Sequence, residues 1–257
     1  AFKKPFIFLT MLFLWHTSIA FGTQDVRALW GDFDGSTHSE EIFIYYPHSE
    51  CFRAASNRYQ IPPLLLLAVA RGESDFDANA VSEADCHGVM QIQWPNTARE
   101  LGFKSRAELY EPCKNIMAGA KYLRKCMDMH NGDVYLALAA YYCGPTKIHA
   151  GISPYYIPEA GHKYSGYIYH HFKEINRRVS AKKPKTYAPQ RKLPVITFSE
   201  FFRAEAFISY ITSLKPGVVL DWFETSEHQY SIVLLYKSER EKKRSVNALA
   251  DIGFQVR

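Results

Sequence analysis

The pattern of apolar and polar positions divides the chain into a helical part and a later mixed part. Along Pro112–His130 the apolar side chains recur every three or four positions, which is the period of an amphipathic helix. Shorter helices are predicted from Ser49 towards Tyr59, from Pro63 along the run LLLLAVA, and at Val134–Cys143. Proline suits a first helical turn, where its missing N–H group is not needed. We therefore expect residues 42–176 to form a mainly α domain.

Strand-like and helical segments alternate after residue 193. Strands are predicted at the β-rich runs Val195–Phe198, Val218–Phe223 and Tyr230–Tyr236. An amphipathic helix is predicted over Phe201–Leu214, and a second helix from Ser238 to Ile252. The pair Ser238 and Glu241 has capping-box spacing before the second helix, and Gly253 suits the end of that helix. A fourth strand is predicted at Phe254–Val256. The order βαββαβ predicts a small α+β domain of the ferredoxin-like type over residues 194–257.

The segment between these two units, residues 177–193, is rich in lysine and arginine and loses its apolar periodicity. Such a composition is typical of a basic linker. A solvated spacer is the simpler interpretation, and contact with anionic envelope polymers is the alternative.

The first residues, 1–22, predict export from the cytoplasm. Lys3 and Lys4 precede an apolar run, and Ser18 and Ala20 resemble the small residues of a secretory cleavage site. The apolar run is short for a bilayer span. An uncleaved N-terminal anchor is the alternative to a cleaved signal peptide, and both predict a periplasmic or envelope location.

Cysteine content indicates the compartment of the protein, and net charge indicates the kinds of partner that it is expected to bind. Five cysteines agree with an oxidising compartment, and an odd number leaves at least one outside any intramolecular disulfide. Cys113 and Cys126 share one predicted helix, which separates them by about 20 Å and excludes a bond between them. The spacings do not suit a metal site, and no cofactor is predicted. The net charge of +5 permits polyanionic partners, but without a binding motif nucleic acid is not an expected partner.

A glutamate at the end of an apolar helix is the main chemical feature of the chain. Glu73 follows the run IPPLLLLAVARG, where a carboxylate is either a solvated cap or an acid held in a pocket. Downstream, Gly88 indicates a close approach of the main chain, Gln91 offers an amide, and Tyr141 offers a phenol. An acid, an amide and a phenol suit polysaccharide cleavage, because the acid protonates the leaving oxygen while the other groups hold the sugar.

Several motifs, in this order, resemble the catalytic domain of the soluble lytic transglycosylase family, whose fold is similar to that of goose-type lysozyme. The resemblance covers residues 42–172. It rests on Ile61-Pro62-Pro63, Glu73-Ser74, Gly88-Val89-Met90-Gln91, Asn115-Ile116, Gly119, Tyr122-Leu123 and Ala140-Tyr141. The family cleaves the β-1,4 bond between N-acetylmuramic acid and N-acetylglucosamine in peptidoglycan and leaves a 1,6-anhydro ring. The resemblance implies a lysozyme-like fold, this substrate and no cofactor.

By this resemblance Glu73 is the catalytic acid and then the base. The substrate-binding residues that it implies are Ser74, Met90, Gln91, Tyr141, Tyr142 and Tyr164. Tyr167 fits the family's last cleft tyrosine as well as Tyr164 does. An acid must stay protonated near neutral pH, so the pKa of Glu73 must rise above about 4.3. We expect the apolar stretch Leu64–Val69, together with Met90, to supply the desolvation.

Each of these assignments has a plainer alternative. Ser74 and Gln91 can serve as local hydrogen-bonding residues of a loop. Met90 can be a core side chain. Tyr142 replaces the family's usual asparagine, and because a phenol is not an amide, the family's contact with the sugar at this position does not carry over.

Two other functions compete with lytic transglycosylation. A hydrolytic muramidase would use Asp75 or Asp77 to position water. The family's mechanism needs no second acid, so we interpret both aspartates as capping or solvating the loop after the helix. A non-enzymatic peptidoglycan binder is the third hypothesis.

The C-terminal unit resembles the SPOR family of peptidoglycan-binding domains in element order and size, and a purely structural addition is the alternative. The expected partners are glycan strands and an envelope-spanning secretion or conjugation machine. The pair His170 and His171 is predicted to be a surface feature at a polar helix end.

Overall fold

The computed structural model describes residues 26–31, 33, 40–180, 186–188, 190–225 and 229–256. The predicted signal peptide, residues 1–22, lies outside this part of the chain. No helix among the described residues is both long and apolar enough to cross a membrane.

The first unit is helical, as predicted. Its helices are α1 (Val26–Gly31), α2 (Ser49–Tyr59), α3 (Pro63–Ser74), α4 (Asn96–Glu100), α5 (Pro112–Met129), α6 (Val134–Cys143) and α7 (Glu159–Val179). Three 3-10 turns lie at Glu40–Tyr45, Arg106–Tyr110 and Pro154–Tyr156. A small antiparallel hairpin joins β1 (Cys86–His87) to β2 (Ile92–Gln93). The bounds of α2 and α6 are those that the apolar pattern predicts.

Helix α3 is the buried centre of this unit. Its residues from Leu64 to Arg71 are all buried, so the helix is surrounded by protein rather than amphipathic. It packs along α7, while α2 packs against α5 and α6 packs against both α5 and α7. A disulfide between Cys51 and Cys113 ties α2 to α5. Cys113 and Cys126 lie on one continuous helix, as expected, and Cys126 is a free, buried thiol.

The second unit is a three-stranded sheet with two helices. Its elements are β3 (Arg191–Phe198), α8 (Phe201–Leu214), β4 (Leu220–Glu224), β5 (Tyr230–Tyr236) and α9 (Glu239–Ala250). The strands are antiparallel and follow the order β3-β5-β4. The bounds of α8 and β5 match the prediction, and the Ser238 hydroxyl caps α9 by accepting from the Glu241 N–H at 3.2 Å.

The predicted fourth strand of this unit is wrong. Phe254–Val256 form no strand, so the described order is βαββα rather than βαββαβ. The N–H of Phe254 donates to the carbonyl of Leu249 at 2.9 Å, which closes the end of α9. The Phe254 ring packs at 5.0 Å from Phe207 of α8. The apolar pattern of this segment therefore reflects packing on a helix.

The predicted linker at residues 177–193 overlaps regular structure at both ends, because α7 runs to Val179 and β3 starts at Arg191. Tyr187, between them, stacks on Tyr46 at 5.7 Å and packs on Phe76 at 5.2 Å. The interpretation as a solvated spacer is wrong for Tyr187, since its ring fills a gap in the helical unit. One apolar core continues from the helical unit into the sheet.

The prediction that His170 and His171 are surface residues is also wrong. Both lie on α7 where strand β4 covers it, and His171 is fully buried. His170 Nε2 is 3.0 Å from an oxygen of Asp221 on β4, and its ring lies 4.5 Å from Trp222. A helix face that is polar in sequence is thus buried by the second unit.

Candidate active site

Gly72, the residue before the candidate acid, lets α3 and α7 touch. A Cβ atom at Gly72 would lie 2.6 Å from Cδ1 of Ile168, a distance that side chains do not tolerate. The hydroxyl of Tyr167 on α7 donates to the carbonyl of Gly72 at 2.9 Å. The glycine that interrupts the apolar run therefore brings α7 against the last turn of α3, where Glu73 lies.

Glu73 lines a cleft of about 1060 Å³. The cleft is enclosed by α3, the β1–β2 hairpin, α6, α7 and the end of β4. The lining residues that matter for its chemistry are Glu73, Gln91, Tyr141, Tyr142, Tyr164 and Glu224. Four of these are predicted site residues besides Glu73, and the fold brings them together from segments far apart in sequence.

The carboxyl group of Glu73 is desolvated by burial and has a tyrosine hydroxyl as its hydrogen-bond partner. Tyr164 donates a hydrogen bond to Oε1 of Glu73. Burial raises the pKa of Glu73 to about 8, the hydrogen bond from Tyr164 opposes the increase, and the charge of Glu224 adds to it. The stretch Leu64–Val69 lies in the core and does not line the cleft.

Three tyrosines form a stacked wall beside the acid. The Tyr164 ring lies 4.6 Å from that of Tyr142 and 6.5 Å from that of Tyr141, both near parallel. The Tyr141 hydroxyl donates to the carbonyl of Met90 at 2.8 Å, which joins α6 to the hairpin. Tyr142, which stands in the place of the family's asparagine, is 37% exposed and presents its ring to the cleft. Its contribution there is an aromatic face and a hydroxyl.

The loop before β2 is held by a buried asparagine. The Asn115 amide accepts from the N–H of Met90 at 2.7 Å and donates to the carbonyls of His87 and Leu109. Gly88 has φ of 76°, and a Cβ there would lie 2.4 Å from the Leu109 carbonyl. The expected close approach of the main chain at Gly88 is therefore confirmed. The sequence motif contained Asn115 but did not predict this role.

Gln91 and Ser74 make local hydrogen bonds. The Gln91 amide donates to the carbonyls of Ala80 and Gly88 at 3.2 and 3.0 Å, while its side chain lines the cleft. The Ser74 hydroxyl donates to the carbonyl of Val89 at 2.8 Å and so ties the end of α3 to the hairpin.

Met90 is a core side chain. It is fully buried and packs on Gly119, where a Cβ would lie 2.5 Å from the Cβ of Met90. The prediction that its side chain contacts substrate is corrected, because α5 covers it completely. Met90 contributes to the site through its main chain, which Asn115 and Tyr141 hold.

The two aspartates after Glu73 do not line the cleft. Asp75 pairs with Arg71, and its Oδ2 lies 2.7 Å from Nζ of Lys192. Its side chain is 9% exposed, so the expectation of a solvated loop is wrong for this residue. Asp77 accepts from the N–H of Asn79 at 2.8 Å, the local cap that we predicted.

Two other carboxylates do line the cleft, and the sequence did not indicate either one. Glu83 lies in the loop before β1, and Glu224 lies at the end of β4 in the second unit. Glu224 is 151 positions from Glu73 along the chain and belongs to no recognised motif. Only the packing of the second unit on α7 brings it to the cleft.

Comparisons with known proteins place the helical unit in a family. Residues 50–159 match the family model described as "Transglycosylase SLT domain". Protein IpgF of Shigella flexneri is 32% identical over 112 residues, which are 40% of this chain and 73% of that protein. Membrane-bound lytic murein transglycosylase C of Klebsiella pneumoniae is 36% identical over 92 residues, 33% of this chain but only 24% of that protein.

Among solved structures, an inactive mutant of the lytic transglycosylase Slt from Pseudomonas aeruginosa has a TM-score of 0.46 and 22% identity. That match covers 54% of this chain and 25% of the Slt chain. The chain thus spans about a quarter of these longer relatives. From the family model and the coverage of IpgF, we conclude that this chain belongs to the transglycosylase SLT family.

Proposed function

We propose that this protein is a lytic transglycosylase that cleaves the β-1,4 bond between N-acetylmuramic acid and N-acetylglucosamine in peptidoglycan. The observation that carries this proposal is the position of Glu73. Its carboxyl group lines the cleft, accepts a hydrogen bond from Tyr164, and has a pKa raised by burial to about 8. Such a group keeps its proton at neutral pH and can act as a general acid.

The reaction uses this one carboxyl group twice. Glu73 gives its proton to the glycosidic oxygen as the bond from that oxygen to the anomeric carbon of N-acetylmuramic acid breaks. The C6 hydroxyl of the same sugar then attacks the anomeric carbon and returns its proton to Glu73. The product carries a 1,6-anhydro ring, no water is consumed, and Glu73 is again protonated. A second carboxylate, which ordinary glycosidases need, has no step in this sequence.

Neighbouring residues support these two steps. The Tyr164 hydroxyl stabilises the carboxylate that forms after the first proton transfer, because a hydrogen bond to the charged form favours it. The partly exposed ring of Tyr142, which stacks on Tyr164, offers a stacking surface for a sugar ring. Gln91 and Tyr141 line the same cleft, and we assign them to substrate binding. Ser74 positions the hairpin that carries Gln91.

A hydrolytic muramidase is the second candidate function, but the carboxylate that would position water differs from the predicted ones. Asp75 and Asp77 are held in contacts outside the cleft, so neither is available to position water there. Glu83 and Glu224 line the cleft instead. Among the described residues, these two glutamates are the candidates that the hydrolytic hypothesis has for positioning water.

The chemistry of the product separates the two candidates. Purified sacculi digested with the protein are expected to yield fragments ending in 1,6-anhydro-N-acetylmuramic acid, which mass spectrometry detects as a loss of one water. Fragments with reducing N-acetylmuramic acid ends would instead support hydrolysis. The absence of any soluble fragment would support the non-enzymatic binder.

Replacing Tyr164 by phenylalanine is expected to move the alkaline limb of the pH–kcat profile to higher pH. The Tyr164 hydrogen bond lowers the pKa of Glu73, so its loss lets Glu73 hold its proton further into the alkaline range. The shift is expected to be roughly one pH unit, since a hydrogen bond to a charged group contributes about 1.5 kcal/mol or more. Tyr155→Phe, at a 93% exposed site, is the control. An alkaline limb that moves to lower pH would contradict this assignment.

We further propose an envelope location and a peptidoglycan-binding role for the second unit. The location is supported by the predicted signal in residues 1–22 and by the Cys51–Cys113 disulfide. The order βαββα and the antiparallel sheet of the described residues support a SPOR-like unit. Association with an envelope-spanning secretion or conjugation machine stays a proposal, which co-purification from detergent-solubilised envelopes would test.

A further inference from the structure

We propose that the second unit forms one wall of the catalytic cleft, and that Glu224 is a substrate-binding residue there. In this arrangement the Glu224 carboxylate accepts hydrogen bonds from hydroxyl and N-acetyl N–H groups of the glycan next to the bond that is cleaved. The inference rests on the proposed function, since it names a residue of the same site. It gives the C-terminal unit a part in the active site, in addition to its proposed role in peptidoglycan binding.

Strand β4 is fastened to the catalytic helices just before Glu224. Asp221 accepts a hydrogen bond at 2.7 Å from Nη2 of Arg71. Arg71 lies two residues before Glu73 on α3. Trp222 is fully buried, with its ring 5.1 Å from Tyr167 of α7. Side chains alternate along a strand, so Trp222 and Glu224 project from the same face. The face that carries Glu224 therefore packs on α7 through Trp222, and the opposite face contacts α7 through Asp221 and His170.

A hydrogen-bonded link joins Glu224 to the turn that bears Glu73. The main-chain N–H of Glu224 donates to the hydroxyl of Tyr167, and that hydroxyl donates to the carbonyl of Gly72. Thr225, the next residue, also lines the cleft, and its N–H donates to the carbonyl of Gln229 at 2.7 Å. The Tyr167 link thus holds the end of β4, which carries both residues, beside the turn that bears Glu73.

The environment of Glu73 identifies Glu224 as its charged neighbour from the second unit. The other titratable groups that act on or respond to Glu73 come from the first unit and are Cys86, Tyr141, Tyr142, Tyr164 and Tyr167. The negative charge of Glu224 raises the pKa of Glu73, in addition to the larger effect of burial. It also raises the pKa of Tyr142, again after burial. After burial, its charge also raises the pKa of Tyr167 and Tyr230, and after the hydrogen bond with Glu159 it raises that of Lys163 on α7. Glu224, which lines the cleft, therefore lies near Glu73, the tyrosine wall and Lys163.

The chemistry of this position suits a glycan. An ionised carboxylate is a strong acceptor with no donor group, whereas Tyr142 of the tyrosine wall offers an aromatic face and a hydroxyl group. Sugar hydroxyls and acetamido N–H groups are donors, and a hydrogen bond to a charged group is stronger than one between neutral groups. Glu224 thus supplies the charged acceptor opposite the aromatic surface on which the sugar ring stacks.

The direct test is affinity for a glycan that is not turned over. In a Glu73→Gln background, we expect Glu224→Gln to weaken binding of a tetrasaccharide of alternating N-acetylglucosamine and N-acetylmuramic acid by about tenfold. Titration calorimetry measures this, and a thermal melt establishes that each variant folds. Glu239→Gln is the matched control, because Glu239 lies in the same unit, is 68% exposed and pairs with Arg191. An affinity equal to that of the control would overturn the inference.

A second readout separates a binding role from a structural one. With Glu73 intact, Glu224→Gln is expected to raise KM and to move the alkaline limb of the rate profile to lower pH, opposite to Tyr164→Phe. Glu224→Asp keeps the charge and is expected to restore the alkaline limb. If Glu224→Gln does not fold, the tetrasaccharide affinity is measured with Glu224→Asp instead, whose shorter side chain is expected to weaken binding. A wild type that yields no anhydro product would overturn the proposed function alone, since the tetrasaccharide affinities do not depend on turnover.

Discussion

Replacement of Glu73 by glutamine is expected to lower kcat for glycan release by about 10³-fold, because it removes the only group that we assign to proton transfer. Glutamine has nearly the same shape and still accepts the Tyr164 hydrogen bond, so KM and the thermal melt are expected to stay near their wild-type values. The rate is measured as soluble fragments released from purified sacculi. The loss should therefore appear in kcat alone.

Glu50→Gln is a matched control for this substitution. Glu50 lies in the first turn of α2, where its side chain is 80% exposed and pairs only loosely with Arg53 at 3.5 Å. We expect this variant to retain the wild-type rate. If Glu73→Gln retains more than about a tenth of the wild-type kcat, the assignment of Glu73 as acid and base is wrong.

Asp221→Asn is expected to destabilise the protein by about 3–5 kcal/mol. Asp221 is a buried anion that accepts from Nη2 of Arg71 and from Nε2 of His170, across the contact between the two units. Loss of the Asp221 charge leaves the positive charge of Arg71 buried without its anionic partner, since both side chains are under 10% exposed. Urea unfolding at neutral pH measures the change. Asp251→Asn, at a 67% exposed surface pair, is the control and is expected to change stability by less than about 0.5 kcal/mol.

The ion pair between Asp221 and Arg71 also makes the free energy of unfolding depend on pH in the acid range. Burial alone would raise the pKa of Asp221, but the hydrogen bond with His170 and the charge of Arg71 hold that pKa well below its usual range. A depressed pKa means that the stabilisation is present above the unfolded-state value of about 3.9 and is lost as the pH falls below it. The difference between wild type and Asp221→Asn should therefore shrink below about pH 4. A difference that grows on acidification would contradict the assigned ion pair.

Local patterns in the sequence predicted most of the helices and one side of the site. Apolar periodicity and turn residues are short-range properties, and they placed α2, α6, α8 and β5 at their observed bounds. The resemblance to a family placed Glu73, Gln91 and the tyrosines in one site, and these residues do share a cleft. Periodicity failed at Phe254–Val256, because an apolar alternation there packs on α8 instead of pairing with a strand.

The polar pairs that join the two units were beyond any local pattern. Arg71 and Asp221 are 150 positions apart, and each alone reads as a surface charge. His170 and His171 likewise seemed exposed, because the strand that covers them lies far along the chain. Burial of such groups depends on which element packs on which helix, and the order of residues within one helix does not contain that information.

The sequence by itself determined the chemistry of the acid: an apolar helix, a glycine and a glutamate, followed at the right intervals by an amide and by tyrosines. The tertiary structure alone decided what surrounds that acid. Tyr164 and Glu224 act on the proton of Glu73 in opposite directions, and they reach it from α7 and β4. A pKa depends on distance and burial in space, so the packing of the second unit on α7 decides it.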